Sequence, residues 1–570
     1  MPFDQTSLTP VRQGTETLTP FAAYDEAVQG TVAELTGGRS PVAAMEAWLD
    51  WASHLAMSPG KQVDLCLRAA AAGARLATPP ADSGTALSGT ALSGTALSGT
   101  WLYDWLMRAH DASRDWWHDA TTGVRGMAAR HEQVLGARIN EAFQAASPAN
   151  ALLANPALQR ATLERGGLNL LEGAKNFAAD HFGPKQPASD TYVVGETIAI
   201  TPGKVIFRNR LIELIQYQPT TSTVHPEPVL IVPAWIMKYY ILDLRPQNSL
   251  IRFLVEQGHT VFSISWVNPT ADDQDVCMDD YRREGVMAAV DVISQHLPGR
   301  RIHAAGYCLG GTMLSIAAAA MARDGDDRLA SMTLFAAQTD FTEPGELKLF
   351  ISDTELSWLD SLMARHGGLD GERMGAAFQL LHADELIWKP FVSRYVLGET
   401  APLNDLMAWN ADQTRMPRRM HSEYLRSMFL RNDLAAGRFK VGDRPIALRD
   451  IRVPVFALGT GKDHVAPWRS VYKISLLARS DITFVLASGG HNAGVVSEPG
   501  HKGRSYRVLT MRATDAYTDP DAYLERAAAH EGSWWPEWQR WMAERSNERV
   551  PAPPMPPALC DAPGTYVLAA

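Results

Sequence analysis

Residues 304–312 read AAGYCLGGT, and whatever chemistry they carry centres on Cys308. Gly306 and Gly310 flank the thiol at two-residue spacing, as a tight strand-to-helix turn requires when a nucleophile must stand clear of the backbone. "RIHAAGYC" has the composition of a buried strand and "LGGTMLSIAAAAMA" that of a helix, so the turn falls on the sulfur. A free cysteine is more often a small buried hydrophobe, but the strand before this one and the helix after it favour a nucleophile. In such a turn the Leu309 N–H faces the space above Cys308, where an oxyanion would form.

A thiol nucleophile needs a general base, and the base needs a group to orient it. "VPVFALGTGKDHVAPW" ends a candidate strand and runs through glycines to Asp463. "ITFVLASGGHNAGVV" ends the next one and reaches His491. The chain order is then nucleophile, acid, histidine, all just past the carboxyl ends of strands, where open α/β sheets bind ligands. His464 would face away from Asp463 and reads as a structural hydrogen-bonding residue near the site. His303 lies inside a strand and reads as a satisfied core histidine. Cys66 lies in an apolar helical stripe and reads as core; Cys277 and Cys560 have no nearby base and read as incidental.

The elements that must position these groups alternate. From about residue 189, short apolar runs such as "EPVLIVPAW", "HTVFSISWV" and "SMTLFAA" alternate with helical segments such as "NSLIRFLVEQG". "TYVVGETIAI" and "KVIFRNRLIELIQY" read as strands too. This predicts an α/β fold with a largely parallel sheet covered on both faces over residues 189–550. The alternation stops between about 341 and 436, a Trp-, Met- and Arg-rich insertion placed to form a helical cap. Its Trp388, Phe391, Tyr395 and Trp409 are candidates for an apolar channel. Residues 41–188 show helical spacing and predict a mostly helical N-terminal domain. Residues 1–40 read as disordered, the SGTAL repeat at 83–100 as a flexible linker, and residues 551–570 as an extended Pro-rich tail. The Trp534, Trp535, Trp538 and Trp541 cluster suits either an apolar boundary or packing on the N-terminal helices.

The chain has 570 residues, 46% hydrophobic, with a formal net charge of −10. An acidic chain is a poor non-specific nucleic-acid binder, although Arg415, Arg418 and Arg419 could form a local basic patch. The four cysteines show no C-x-x-C spacing, which argues against a metal site or a disulfide framework and for a reducing cytosol. "MPFDQTSLTP" lacks the charged and apolar regions of a signal peptide, and "SIAAAAMA" is too short to span a bilayer.

Over roughly residues 155–500 the chain resembles the polyhydroxyalkanoate synthases of the long single-chain type, class I, within the α/β-hydrolase superfamily. The resemblance rests on "GGLNLLEGAKNF", "VPAWIMKYYILDLRPQNSLIRFLVEQGHTVFSISWVNP", "GYCLGGT", "WNADQTRMP", "GKDHVAPW" and "SGGHNAGVVSEPG". "MHSEYLR", with His421, Ser422 and Glu423, departs from the aromatic or cysteine-bearing stretch usual there, and Asn492 stands where an aliphatic residue is common. The resemblance implies an α/β-hydrolase core with a cap and a Cys308, Asp463, His491 triad. It implies an oxyanion hole from the Leu309 N–H and a second amide near Trp235 or Ile236. It implies 3-hydroxyacyl-CoA thioesters as substrates, polyester and free CoA as products, and no cofactor. It further implies a homodimer on cytoplasmic polymer granules. Two other readings use the same residues: a Cys-triad acyl-CoA thioesterase with water as acceptor, and a non-catalytic granule-associated subunit.

Overall fold

Central strands buried on both faces, flanked by more exposed outer strands, assemble here into one eleven-stranded sheet. The computed structural model describes residues 20–78, 101–183, 191–381, 383–400 and 402–569; the SGTAL repeat lies outside them. In chain order the strands are β1 (Gly203–Arg208), β2 (Ile212–Tyr217), β3 (Val229–Val232), β4 (Val261–Trp266), β5 (Ile302–Tyr307) and β6 (Leu329–Phe335). They continue with β7 (Val455–Thr460), β8 (Ile482–Ala487), β9 (Ser505–Met511), β10 (Ala528–Glu531) and β11 (Cys560–Asp561). Across the sheet the order is β10-β9-β8-β7-β6-β5-β3-β4-β2-β1-β11. From β8 to β4 every neighbouring pair is parallel, and both flanks are antiparallel. The sheet is therefore mixed, with its parallel part at the centre.

Period-two alternation divides the core into two halves. Leu230, Val232, Ala304 and Leu334 face one layer, with the helix Leu309–Asp324 packed on it. Val229, Ile231, Ala305 and Phe335 face the other, which holds the helices Leu250–Glu256 and Trp535–Ala543. The four tryptophans at 534, 535, 538 and 541 are all buried in that second layer. They cover neither a surface nor the N-terminal helices, because the sheet's own apolar face requires a cover.

Three local expectations change. The run "KVIFRNRLIELIQY" is a hairpin rather than one strand: Asn209 Oδ1 accepts the N–H groups of Leu211 and Ile212, both at 2.9 Å, and turns the chain. "TYVVGETIAI" makes only a bridge between Val194 and Ile198, since Gly195 and Ala199 take positive φ values of 84° and 54°. Within residues 1–40, Pro20–Leu35 is a helix, ordered by packing on the cap helix Asp353–His366. The Pro-rich tail joins the sheet through β11, and Glu213 accepts the N–H groups of Thr565 and Tyr566 at 2.9 and 3.0 Å.

The segment between β6 and β7 contains the helices Asp353–His366, Gly371–Leu381, Asp405–Ala411 and Arg418–Tyr424. It stands over the carboxyl ends of the central strands. The N-terminal helices brace it from outside: Glu355 accepts the Ser40 N–H at 2.7 Å, and Asp180 pairs with Arg394. Among the described residues, no helix is long and apolar enough to cross a membrane.

Candidate active site

The site is built at the turn between β5 and the helix Leu309–Asp324. Cys308 occupies it with φ 52° and ψ −122°, a backbone conformation that costs a non-glycine residue roughly 1–3 kcal/mol. Neighbouring glycines allow the geometry. A Cβ on Gly310 would lie 2.1 Å from the Val232 carbonyl oxygen, and one on Gly306 would lie 2.4 Å from the Gly311 Cα. The helix thus starts in contact with β3, and the sulfur is lifted above the sheet.

Asp463 follows β7 and is held from several sides. Its Oδ1 accepts the N–H groups of Val465 and Ala466 at 2.9 and 2.8 Å, and its Oδ2 accepts the Thr460 hydroxyl at 2.9 Å. Burial alone would raise this carboxyl; the His491 charge and these donors outweigh burial and hold it below its usual value. His491 follows β8 and donates from Nδ1 to Asp463 Oδ2 at 2.7 Å. With Nδ1 engaged, Nε2 is the ring nitrogen left to face Cys308, whose charge acts on the imidazole. Burial works against the imidazolium, yet the negative charges of Asp463 and Cys308 raise His491 well above its ordinary value. The three residues named from the sequence are thereby brought together, Asp463 and His491 by a hydrogen bond and Cys308 within reach of the imidazole's charge.

Supporting residues that the sequence reading passed over surround these three. Tyr307 donates its hydroxyl to Asn492 Oδ1 at 2.6 Å, and its ring lies 5.6 Å from that of His491. The polar residue at 492 therefore has a partner. Trp534 and Trp535 donate their indole N–H groups to the carbonyls of Gly494 and Val495 at 2.9 and 3.0 Å, which fixes the loop carrying His491. Thr414 donates its hydroxyl to the Trp235 carbonyl at 2.6 Å, and its N–H to that of Ile236 at 3.3 Å. The Ile236 N–H is antiparallel to the Trp235 carbonyl in a trans peptide, so it is turned away from Thr414. The only sequence trace of these contacts was an unexplained Trp cluster and a Thr within "WNADQTRMP".

Cys308, Leu309 and Ile236 open onto a cavity of about 520 Å³. Its walls are mainly apolar and come from the cap, with Phe350, Leu362, Met374 and Phe429 among them. The aromatics proposed from sequence for this role lie elsewhere. Trp409 is buried against the second core layer and donates to the Lys238 carbonyl at 2.8 Å. Trp388, Phe391 and Tyr395 cluster with one another, and Tyr395 bonds Asp180 on the N-terminal helix Leu168–Phe182. They mediate packing between cap and N-terminal helices, a role that helical spacing cannot distinguish from lining a channel.

The remaining candidates have ordinary places. His303 is buried between the hydroxyls of Ser331 and Ser546 at 2.7 and 3.1 Å. Cys66 is exposed, because the helix Pro59–Ala77 turns the adjacent Leu65 inward instead. Arg415 donates to the His366 carbonyl, while Arg418 and Arg419 pair with Glu26 and Glu423, so no free basic patch forms there. Among the described residues, no group of three or more His, Cys, Asp or Glu side chains could hold a metal ion.

Comparison with known proteins places this geometry in a lineage. Residues 94–254 match the family described as the poly-beta-hydroxybutyrate polymerase (PhaC) N-terminus, and residues 227–497 match the alpha/beta hydrolase fold. A poly(3-hydroxyalkanoate) polymerase of Methylorubrum extorquens is 44% identical over 440 residues, covering 75% of this chain and 72% of the relative. The poly(3-hydroxyalkanoate) polymerase subunit PhaC of Rhizobium meliloti is 38% identical, covering 82% and 77%. That of Cupriavidus necator is 36% identical, covering 77% and 76%.

Proposed function

Since the chain belongs to the poly(3-hydroxyalkanoate) polymerase family, we propose that it joins 3-hydroxyacyl-CoA thioesters into a polyester and releases CoA. The reading is carried by one observation above the others: a cysteine, and not a serine, stands beside a hydrogen-bonded Asp463–His491 pair and opens onto a mainly apolar chamber.

Sulfur suits this reaction. His491 takes the Cys308 proton, and the thiolate attacks the thioester carbonyl. The tetrahedral oxyanion is held by the N–H groups of Leu309 and Ile236. Collapse breaks the bond to the CoA sulfur, and His491 returns its proton to that leaving thiolate. One thioester has been exchanged for another, so the acyl group stays activated. The 3-hydroxyl of a second unit then attacks the Cys308 thioester, its proton passing to His491, and an ester bond forms while the cysteine sulfur leaves. Asp463 keeps Nδ1 of His491 protonated, and so leaves Nε2 to move the protons. Water in the chamber would divert the acyl group to hydrolysis, and the apolar cap walls support its exclusion.

The same reading extends to a homodimer working at the surface of cytoplasmic polymer granules. In its support, Val42, Met45 and Leu49 form an exposed apolar stripe along the helix Pro41–Ala56, with Trp48 beside it. Incubation with 3-hydroxybutyryl-CoA tests the activity. Insoluble polyester with CoA release is expected, and Cys308→Ala abolishes both. Free 3-hydroxybutyrate without polymer would establish the thioesterase instead, and absence of CoA release a non-catalytic subunit.

A further inference from the structure

The cavity wall carries two polar side chains that the reaction steps above leave unused. His421 and Tyr424 sit one turn apart on the cap helix Arg418–Tyr424, and both line the chamber that Cys308 opens onto. His421 is 94% buried and Tyr424 nearly as much. Neither side chain has a hydrogen-bond partner among the described residues, and His421 Nδ1 is sealed and unpartnered. That leaves Nε2 as the nitrogen a ligand can reach.

Their isolation is specific to them. Thr36, Arg39, Thr312, Gln338, Glu355 and Arg373 also line the chamber, and each is already satisfied by another group of the protein. A buried polar group without a partner carries a desolvation penalty that packing alone does not return. Burial also pushes His421 down to about 4, so the imidazole is neutral at physiological pH and offers a hydrogen bond, not a charge. Tyr424 is close enough to Cys308 that, after burial, the sulfur's charge further raises its phenol. The pair therefore stands beside the position an acyl group on Cys308 would occupy.

Building on the polymerase reading, we propose that His421, with Tyr424, forms a polar subsite that binds the 3-hydroxyl of the acyl unit and discriminates hydroxyacyl from plain acyl thioesters. A hydroxyl both donates and accepts, so it satisfies the imidazole in either tautomer. A site built for a substrate hydroxyl disfavours the analogue that lacks it, because the protein's own polar groups then stay unpaired.

The test is single-turnover acylation of the full chain by 3-hydroxybutyryl-CoA and by butyryl-CoA, read as the added mass on Cys308. The wild type is expected to prefer the hydroxylated substrate, and His421→Phe to lose about 3- to 10-fold of that preference, the worth of one net hydrogen bond. The loss should fall on the hydroxylated substrate, and His421→Gln, which keeps a donor and an acceptor, should restore part of it. If His421→Phe does not fold, His421→Met takes its place in the same comparison. An unchanged preference, or an equal fall for both substrates, overturns the inference while leaving the polymerase reading intact. Failure of both thioesters to label wild-type Cys308 overturns that reading itself.

Discussion

The contact between the start of the Leu309–Asp324 helix and the end of β3 makes Gly310→Ala an informative perturbation. The new Cβ would stand 2.1 Å from the Val232 carbonyl oxygen and 2.5 Å from that of Pro233. Both are backbone atoms, and the Pro233 carbonyl is further tied by the Trp266 indole at 2.9 Å, so no flexible side chain can yield. Restoring van der Waals separation requires the helix start to move by roughly 1 Å or more relative to the segment after β3. That movement separates the two proposed oxyanion donors, because the Leu309 N–H travels with the helix and the Ile236 N–H stays with the β3 loop. Losing one oxyanion donor costs about 10²–10³ in kcat, and a displacement of this size can itself cost about 10²-fold. The expected outcome is a fall in kcat of at least about 100-fold, with a smaller change in KM because most of the chamber wall belongs to the cap. CoA release measured with a thiol reagent gives the rate, and a thermal melt shows whether the variant is folded. A folded Gly310→Ala protein with kcat within about threefold of wild type would refute the reasoning, since the donors would then not depend on this contact.

Three further outcomes follow from the same geometry. Asp463→Asn removes the charge that raises His491; kcat should fall by about 10²-fold or more, and the His491 titration, followed by NMR, should move down. Thr414→Val frees the Trp235 carbonyl and should lower kcat by about tenfold or less with KM little changed, as expected for loss of roughly one hydrogen bond's worth of positioning; a rise in KM at constant kcat would contradict the assigned role. Burial depresses both His303 and His421 to about 4 against 6.5 when unfolded. The unfolded chain then binds the extra protons, so this contribution to stability is full above about pH 6.5 and is lost as pH falls toward 4, by about 3 kcal/mol per group. Urea unfolding of His303→Gln across that window should show a shallower dependence on pH than the wild type.

The part of the molecule legible in the sequence is the part governed by short-range rules. Gly306, Cys308 and Gly310 mark their turn because only small neighbours permit a helix to start against a strand. Asp463 and His491 are found because strand ends terminate in glycines and polar residues whatever lies beside them. The alternation of apolar runs and helices gives the α/β class for the same reason, since a strand buried on both faces has to be apolar throughout.

Which of many equivalent side chains meet is settled by the folded molecule. Trp534 and Trp409 have the same composition signal. Both are buried in the second layer, yet Trp534 donates to the Gly494 carbonyl in the histidine loop and Trp409 to the Lys238 carbonyl, because the sheet's twist and the cap's docking set distances that helical spacing does not encode. The same holds for Thr414, whose hydroxyl fixes the Trp235 peptide from 179 residues away in the chain, and for His421, whose lack of a partner is a property of everything packed around it. Local chemistry is written along the chain, whereas satisfaction or isolation of a polar group is settled by neighbours distant in sequence.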